Sequence, residues 1–478
     1  MTFTSFNFLI FFPAVVIIYN VLPQRLRVWF LLASSYFFYI NMQPIYALLL
    51  VIVTISTYLF VKSIYNAKKE ESKEILRTCG IIVTLLPLFF FKYFSFINTL
   101  IADLLSNIGI SVSLPQVTWA LPVGISFYTF MAIGYIIDVY NEEVDFEPNF
   151  GATGLFLSFF PIVLSGPIER AGNMFPQFKN FKDSTYEDLR KGFLLILWGY
   201  FMKLCVADRL GLYIDAVYAD LSNMGGKTIT LVTLLYPFQV YADLGGYSLT
   251  ALGAARCIGI KVIPNFNRPF FATSMSEFWR RWHMSLITWL TDYVYTPLSF
   301  TFRRWKIWGI VVSLMLTFFI SGLWHGAAWT FIVWGIVQGI YLSIEALLQK
   351  KRIDFERKHC LTSKWWYIFI CCGLVFFLFA FSQIFGRVSS INDARIVISK
   401  ISEFDGVLYR SNSGLSIGLI CLAVLMLYDF LREYFPSILP NPFASKIWIV
   451  RYISFVTLIL SILIFGELNN SQFIYFNF

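Results

Sequence analysis

Ser321-Gly322-Leu323-Trp324-His325-Gly326-Ala327-Ala328-Trp329 lies inside an apolar run from Ile307 to Leu348, and the fold turns on how that run is read. Apolar stretches of about 20 residues are membrane helices. The run contains one ionisable imidazole and, near its far end, Glu345. An ionisable group at membrane depth costs about 2.5–3.5 kcal/mol as a full charge, so its presence asks for a reason. A neutral imidazole costs less and can take a proton near neutral pH. Gly322 and Gly326, spaced small-xxx-small, leave the helix surface bare beside His325, where a neighbouring helix or an acyl chain can approach. Two readings stand: a histidine hydrogen-bonded to a neighbouring helix, and a buried catalytic base.

The rest of the chain is built for the same solvent. Of 478 residues 58% are apolar and 14% charged, with 52 phenylalanines, whereas a soluble chain carries about 25% charged residues. An all-α, polytopic membrane protein is expected, with one membrane-embedded domain over residues 1–478. The first apolar stretch, Phe6 to Leu22, has no basic n-region and no clear cleavage site, so it reads as the first span. Spans are expected near 6–22, 29–41, 44–61, 76–96, 119–140, 192–212, 228–256, 307–323, 329–348, 365–386, 414–431 and 448–467. The seven cysteines fall mostly in or beside these stretches and show no metal-type spacing with the three histidines. Buried small hydrophobes are therefore expected, with no metal site. The net charge of +9 sits in loops between spans and is no nucleic-acid signal.

Loop charge orients the chain. Arg25 and Arg27 follow the first span, and Lys62, Lys68, Lys69 and Lys73 follow the third. The loop from Asn98 to Trp119 has no Lys or Arg. The positive-inside rule then places the N-terminus outside, and the cluster from Lys350 to Lys364 in the cytoplasm. Apolar residues 151–164 are too few for a simple crossing, and they run into Ser165-Gly166-Pro167-Ile168-Glu169-Arg170. Such a segment is either re-entrant, its backbone satisfied by protein or water, or an interfacial helix and loop. The mixed-charge loop from Arg387 to Ser413 is a further surface where a partner can bind.

Ile263-Pro264-Asn265-Phe266-Asn267-Arg268-Pro269-Phe270 is an extended lead-in to Ser274-Met275-Ser276-Glu277, which has capping-box spacing. The helix expected to follow carries Trp279, Trp282, Leu286 and Trp289 on one face and Arg280 and Arg281 elsewhere. It reads as an amphipathic basic helix at the membrane surface. Either it anchors the protein, or His283 and the two guanidiniums lie where a phosphorylated donor docks.

No Walker-type phosphate loop, HExxH or CxxC occurs, so nucleotide hydrolysis and zinc chemistry are not expected. His359 sits in a basic loop and reads as solvated surface. His325 is the candidate base, able to deprotonate a hydroxyl that attacks a thioester or ester. Five blocks now add to this: Leu121–Phe130 with Ile137–Tyr140, Ser165–Arg170 with Pro176-Gln177, Tyr241–Asp243 with Gly246–Ser248, Asn265-Phe266 through Trp289, and Gly322–Trp329. In this order they resemble membrane-bound O-acyltransferases of the bacterial branch that serves alginate and peptidoglycan O-acetylation and teichoic acid D-alanylation. Met131, Gly245 and the segment Ser299–Arg304 depart from that pattern without touching the histidines.

The resemblance implies about 11–12 transmembrane helices, plus re-entrant or interfacial helices, around a central tunnel. It implies His325 as the catalytic residue, His283 in support, and acetyl-CoA or another acyl thioester as donor, with no bound cofactor. It also implies the bacterial cytoplasmic membrane, surrounding lipid, and a periplasmic acyltransferase partner of the SGNH type. Arg280 and Arg281 are candidates for the donor's phosphates; Trp279, Asp243, Glu169, Trp324 and Ser321 are tunnel or substrate-contact candidates. The ending Gln472–Phe478 resembles the Phe-x-Tyr-Phe ending of a small partner peptide in teichoic acid D-alanylation. This makes Tyr475 a candidate acyl carrier, activated by a base because a phenol ionises only near pH 10. The rival reading of 472–478 is an aromatic belt at the interface. A secondary transporter and D-alanyl-type transfer remain alternatives for the whole chain.

Overall fold

The computed structural model describes residues 1–116, 119–409, 414–436, 445 and 447–468, and every regular element among them is helical. The chain forms two compact units, one of residues 1–195 and 250–263, the other of 196–249 and 264–478.

The first unit contains α1 (Phe6–Val21), α2 (Gln24–Ile40), α3 (Pro44–Asn66), α4 (Glu70–Leu88), α5 (Phe94–Asn107), α6 (Ile125–Tyr140), α7 (Phe150–Ser158) and α8 (Ala171–Lys179). Helix starts follow local chemistry. The Ser5 hydroxyl accepts from the Phe8 amide, Pro44 opens α3 where no amide is needed, and Glu70 and Glu71 face the positive end of α4. Pro87 interrupts the hydrogen-bond ladder of α4, and one π-helical turn, Phe89–Tyr93, joins it to α5. Helices α3, α4 and α6 pack on one another, and α7 packs on α2 and α3.

The short segment 151–164 is a nine-residue helix followed by a turn, and every residue from 151 to 169 is buried. Burial in protein is what broken backbone at membrane depth requires, and this segment meets that requirement. Gly124, at φ +79°, holds the turn closely: a Cβ there would lie 2.1 Å from the Val163 carbonyl oxygen.

Helices α9 (Tyr186–Tyr200) and, later in the chain, α11 (Gly226–Cys257) have residues in both units. The second unit also holds α10 (Asp208–Ala219), α12 (Met275–Arg281), α13 (Met284–Leu290), α14 (Thr296–Thr301), α15 (Ile307–His325), α16 (Trp329–Lys358), α17 (Trp365–Arg387), α18 (Ile391–Glu403), α19 (Leu415–Tyr434) and α20 (Trp448–Phe465). A π-helical turn, Phe201–Ala207, links α9 to α10. Helices α15 and α16 form an antiparallel hairpin, with α12 and α17 packed on α16.

Among the described residues seven helical stretches are long and apolar enough to cross a membrane: α3, the α4–α5 run, α15, α16, α17, α19 and α20. This makes the chain a multi-pass membrane protein. The twelve expected spans are helical over most of their length, but not all meet that measure. α1 and α6 are apolar and 16 residues long. α2 begins with Gln24, Arg25 and Arg27, 192–212 is split by the π turn, and 228–256 carries Gln239, Asp243 and several hydroxyls.

Candidate active site

His325 is the last residue of α15, half-buried where the helix breaks before α16 begins at Trp329. The bare surface expected beside it is used by α16. A Cβ on Gly322 would lie 2.4 Å from the Phe331 carbonyl oxygen and 3.2 Å from Gly335 Cα. One on Gly335 would lie 2.4 Å from the Phe318 carbonyl oxygen, so the two backbones touch at this crossing. The imidazole is then walled by aromatics: ring centroids of Trp324 and Trp334 are each 4.8 Å away, and Phe331 stacks at 6.4 Å.

Trp324 also contacts the second histidine, His283, at 5.9 Å, so one indole stands between the two imidazoles. Trp334 leads in turn to Trp279 at 5.9 Å, whose indole N–H donates to Gln338 Oε1 at 3.3 Å. The structure thus brings His325, Trp324, His283 and Trp279 together.

The segment carrying His283 differs from its expected form. Instead of one surface helix over 278–286 there are two short helices, α12 and α13, broken at His283, whose φ is +47°. Trp279, Trp282, Leu286 and Trp289 are all buried, so this is a core element. The break is held by the lead-in. The Asn265 carbonyl accepts from the Met284 amide at 2.9 Å, and Asn265 Oδ1 accepts from the Ser285 hydroxyl at 2.9 Å and its amide at 3.2 Å. These bonds replace the helical ladder interrupted at the turn. Ser274 caps α12, as the sequence predicts, by accepting from the Glu277 amide; Glu277 itself accepts from the Thr273 amide. Glu345, the other ionisable residue of the apolar run, accepts from the Met275 and Ser276 amides at the same helix start.

His283 is 3% exposed, and burial pushes its pKa down to about 3, so the ring is neutral at pH 7. It can hydrogen-bond but offers no charge to a phosphate. Arg281 bridges Glu277 and Glu433 at 2.6 and 2.9 Å, whereas Arg280 is exposed. Of the two guanidiniums, Arg280 is the one on the surface.

Phe331 also lines a cavity of about 770 Å³. In its wall Lys203, on the π turn, bridges Asp208 at 2.8 Å and Asp243 at 2.6 Å, and all three are buried. Arg387 at the end of α17 pairs with Asp215 at 2.8 Å in the same cavity. Asp243 thus belongs to an ion triad in the wall. Glu169 is elsewhere: in the first unit it accepts from the Ile263 amide and from Asn173 Nδ2 at 2.8 Å, fastening the segment after α7 to the loop after α11. Ser321 is buried one turn before His325. Tyr475 lies outside the described residues.

Sequence reasoning missed Trp334, Asn265 and Lys203. Lys203 had a signal, since a charge inside the expected span 192–212 asks for a reason as His325 does. Asn265 opens one of the five blocks, but nothing in the sequence tied it to the turn at His283, and Trp334 had no signal, because only folding brings them to the histidines.

The sequence model described as the membrane-bound O-acyltransferase family matches residues 146–385. The chain is 31% identical to a probable alginate O-acetylase of Pseudomonas putida, over 100% of both chains. It is 31% identical to a peptidoglycan O-acetyltransferase of Helicobacter pylori, over 67% of this chain and 64% of that one. A teichoic acid D-alanyltransferase of Streptococcus thermophilus is 34% identical over 49% of this chain and 60% of its own.

Proposed function

The chain belongs to the membrane-bound O-acyltransferase family and is an O-acyltransferase, and from that premise we propose that it transfers an acetyl group from cytoplasmic acetyl-CoA to a cell-surface or exported polysaccharide. His325 is the base. The observation that carries this is its position: half-buried at the break between two long apolar helices, stacked on Phe331, which lines a cavity. His325 takes the proton of the attacking hydroxyl as its oxygen bonds to the thioester carbonyl carbon. The C–S bond then breaks, and the thiolate leaves with that proton. His283, neutral and set across Trp324, supports the site without charging it.

With the N-terminus outside the bacterial cytoplasmic membrane, the basic end of α16 faces the donor, and the Arg387 end of α17 turns the cavity toward the acceptor. Arg280 is then a contact for the donor's phosphates, and Trp279, Trp324 and Ser321 border the acyl group. Tyr475 is the first acceptor and hands the group to a periplasmic partner of the SGNH type. Supporting this relay, Glu467 is tied to Arg209 at 3.0 Å and its amide donates to the Leu204 carbonyl, next to cavity residues Lys203 and Ala207. Eight further residues extend at most about 26–29 Å, enough to enter a cavity that begins there.

The test is surface acetylation in cells, measured as base-released acetate. His325→Ala should abolish it at normal protein level, and Tyr475→Phe, which keeps the aromatic ring, should lower it at least tenfold. Undiminished acetate from His325→Ala would remove the base, and from Tyr475→Phe the carrier alone.

A second reading is aminoacyl transfer, favoured by the cavity's charge. Asp215, Asp220 and Asp393 join Asp208 and Asp243 against Lys203 and Arg387, a balance that suits an ammonium group. Alanine in place of acetate among the base-released products would decide for it.

A further inference from the structure

Hydroxyls recur at every fourth residue on the face of α15 that ends at His325: Ser313, Thr317 and Ser321, all buried. The first two do what such residues ordinarily do in a helix, donating to the carbonyl four residues back, Ser313 to Gly309 and Thr317 to Ser313, each at 2.7 Å. Ser321 does not. Its Oγ has no hydrogen-bond partner among the described residues although the residue is only 1% exposed. Across the helix crossing Trp334 Nε1, on a residue 4% exposed, likewise has no acceptor. Buried polar atoms are nearly always paired, so two such donors flanking one helix crossing ask for a ligand.

Both residues flank the same helix crossing. Ser321 and Trp334 adjoin Gly322 and Gly335, whose backbones meet. Helical side chains lean toward the N-terminus, which carries the imidazole of His325 back over residues 321 and 322. Trp334 closes the other side, its ring 4.8 Å from the imidazole.

Resting on the reading of His325 as the base, we propose that Ser321 Oγ–H and Trp334 Nε1–H form the oxyanion pocket of this acyltransferase. The acceptor oxygen bonds to the thioester carbonyl carbon, the carbonyl π pair moves onto its oxygen, and the hydroxyl proton passes to His325. That oxygen, now negative, takes both hydrogen bonds. Collapse restores the carbonyl and breaks the C–S bond, and His325 returns the proton to the departing thiolate. Donors fixed in advance act on the transition state more than on the bound thioester.

The test uses membranes from cells expressing each full-length variant, with radiolabelled acetyl-CoA as donor and the endogenous envelope acceptor. Initial rates are normalised to protein amount. Ser321→Ala and Trp334→Phe should each lower kcat about 10²-fold or more while the KM for acetyl-CoA stays within about twofold. Ser321→Thr, which keeps a donor, should recover most of the loss. Trp334→Phe also removes ring volume, so if its thermal unfolding shifts, the smaller change at Ser321 decides. A Ser321→Ala enzyme with kcat within threefold of the parent overturns the assignment, as does a rise in KM with kcat unchanged. If His325→Ala abolishes transfer while both donor variants retain it, the pocket falls and the acyltransferase reading stands. If His325→Ala still transfers, both fall.

Discussion

At the scale of single residues, one side chain decides how His283 is held. Asn265 accepts from both the amide and the hydroxyl of Ser285, and its Nδ2 lies 3.2 Å from Ser248 Oγ. Asn265→Leu removes those hydrogen bonds, a cost of about 1–3 kcal/mol, and frees the turn on which His283 sits. Thermal unfolding in detergent should show the loss of stability. His283 also predicts a pH dependence. Its pKa in the folded chain, about 3, lies below the ordinary value of 6.5, so between those values the unfolded state binds the proton and the folded state does not. Stability should fall as pH drops below about 6.5, by at most about 1.4 kcal/mol per pH unit from this group, and the fall should end near pH 3. His283→Phe, which cannot charge, should flatten the curve over that window. At this scale His325 was legible because an imidazole in an oily run is conspicuous. Asn265 was not, since an asparagine in a loop looks the same whether it faces water or holds a turn.

Among the helices, the α15–α16 hairpin makes the sharpest demand. Gly335→Ala would place a methyl 2.4 Å from a backbone oxygen that cannot rotate away, so the helices must part beside His325. A loss of about 1–3 kcal/mol in stability is expected, with a fall in transfer rate larger than that loss explains. Gly339→Ala meets the Met315 sulfur at 2.9 Å, a flexible atom, but also Met315 Cα at 3.2 Å, and should be the milder change. Unfolding temperature and acetyl transfer measured together rank the two. Hydropathy gave the two spans, and Gly322 marked a surface for close approach; Gly335, its partner across the crossing, was not read. They misled at 278–286, where periodicity matched a continuous helix and the break came from hydrogen bonds to a segment some twenty residues earlier. Periodicity reports which side chains share a face, and a loop that competes for the backbone leaves no trace in it.

For the molecule as a whole, the question is how charges survive in so apolar a body. Lys203 is the central case. Lys203→Met would leave Asp208 and Asp243 facing each other without their shared cation, a change that costs about 3–5 kcal/mol for buried pairs. The double change Lys203→Met with Asp243→Asn should recover part of that in a thermal melt. Composition revealed the class of fold, and the apolar stretches the order of its long helices. The π-helical turn that aims Lys203 and the division into two units depend on contacts far apart in the chain and were not legible.

Helix α16 carries Trp334 beside His325 and, eleven residues on, Glu345 at the start of the segment that bears His283. It works as a ruler of about 16 Å whose two marks must also share a phase, because each residue turns the helix by about 100°. Residues on its lipid side can be exchanged freely, but one inserted between the marks would swing Glu345 off the α12 amides and pull the two histidines out of step. In this protein the spacing along α16 is therefore less open to change than most of the letters written on it.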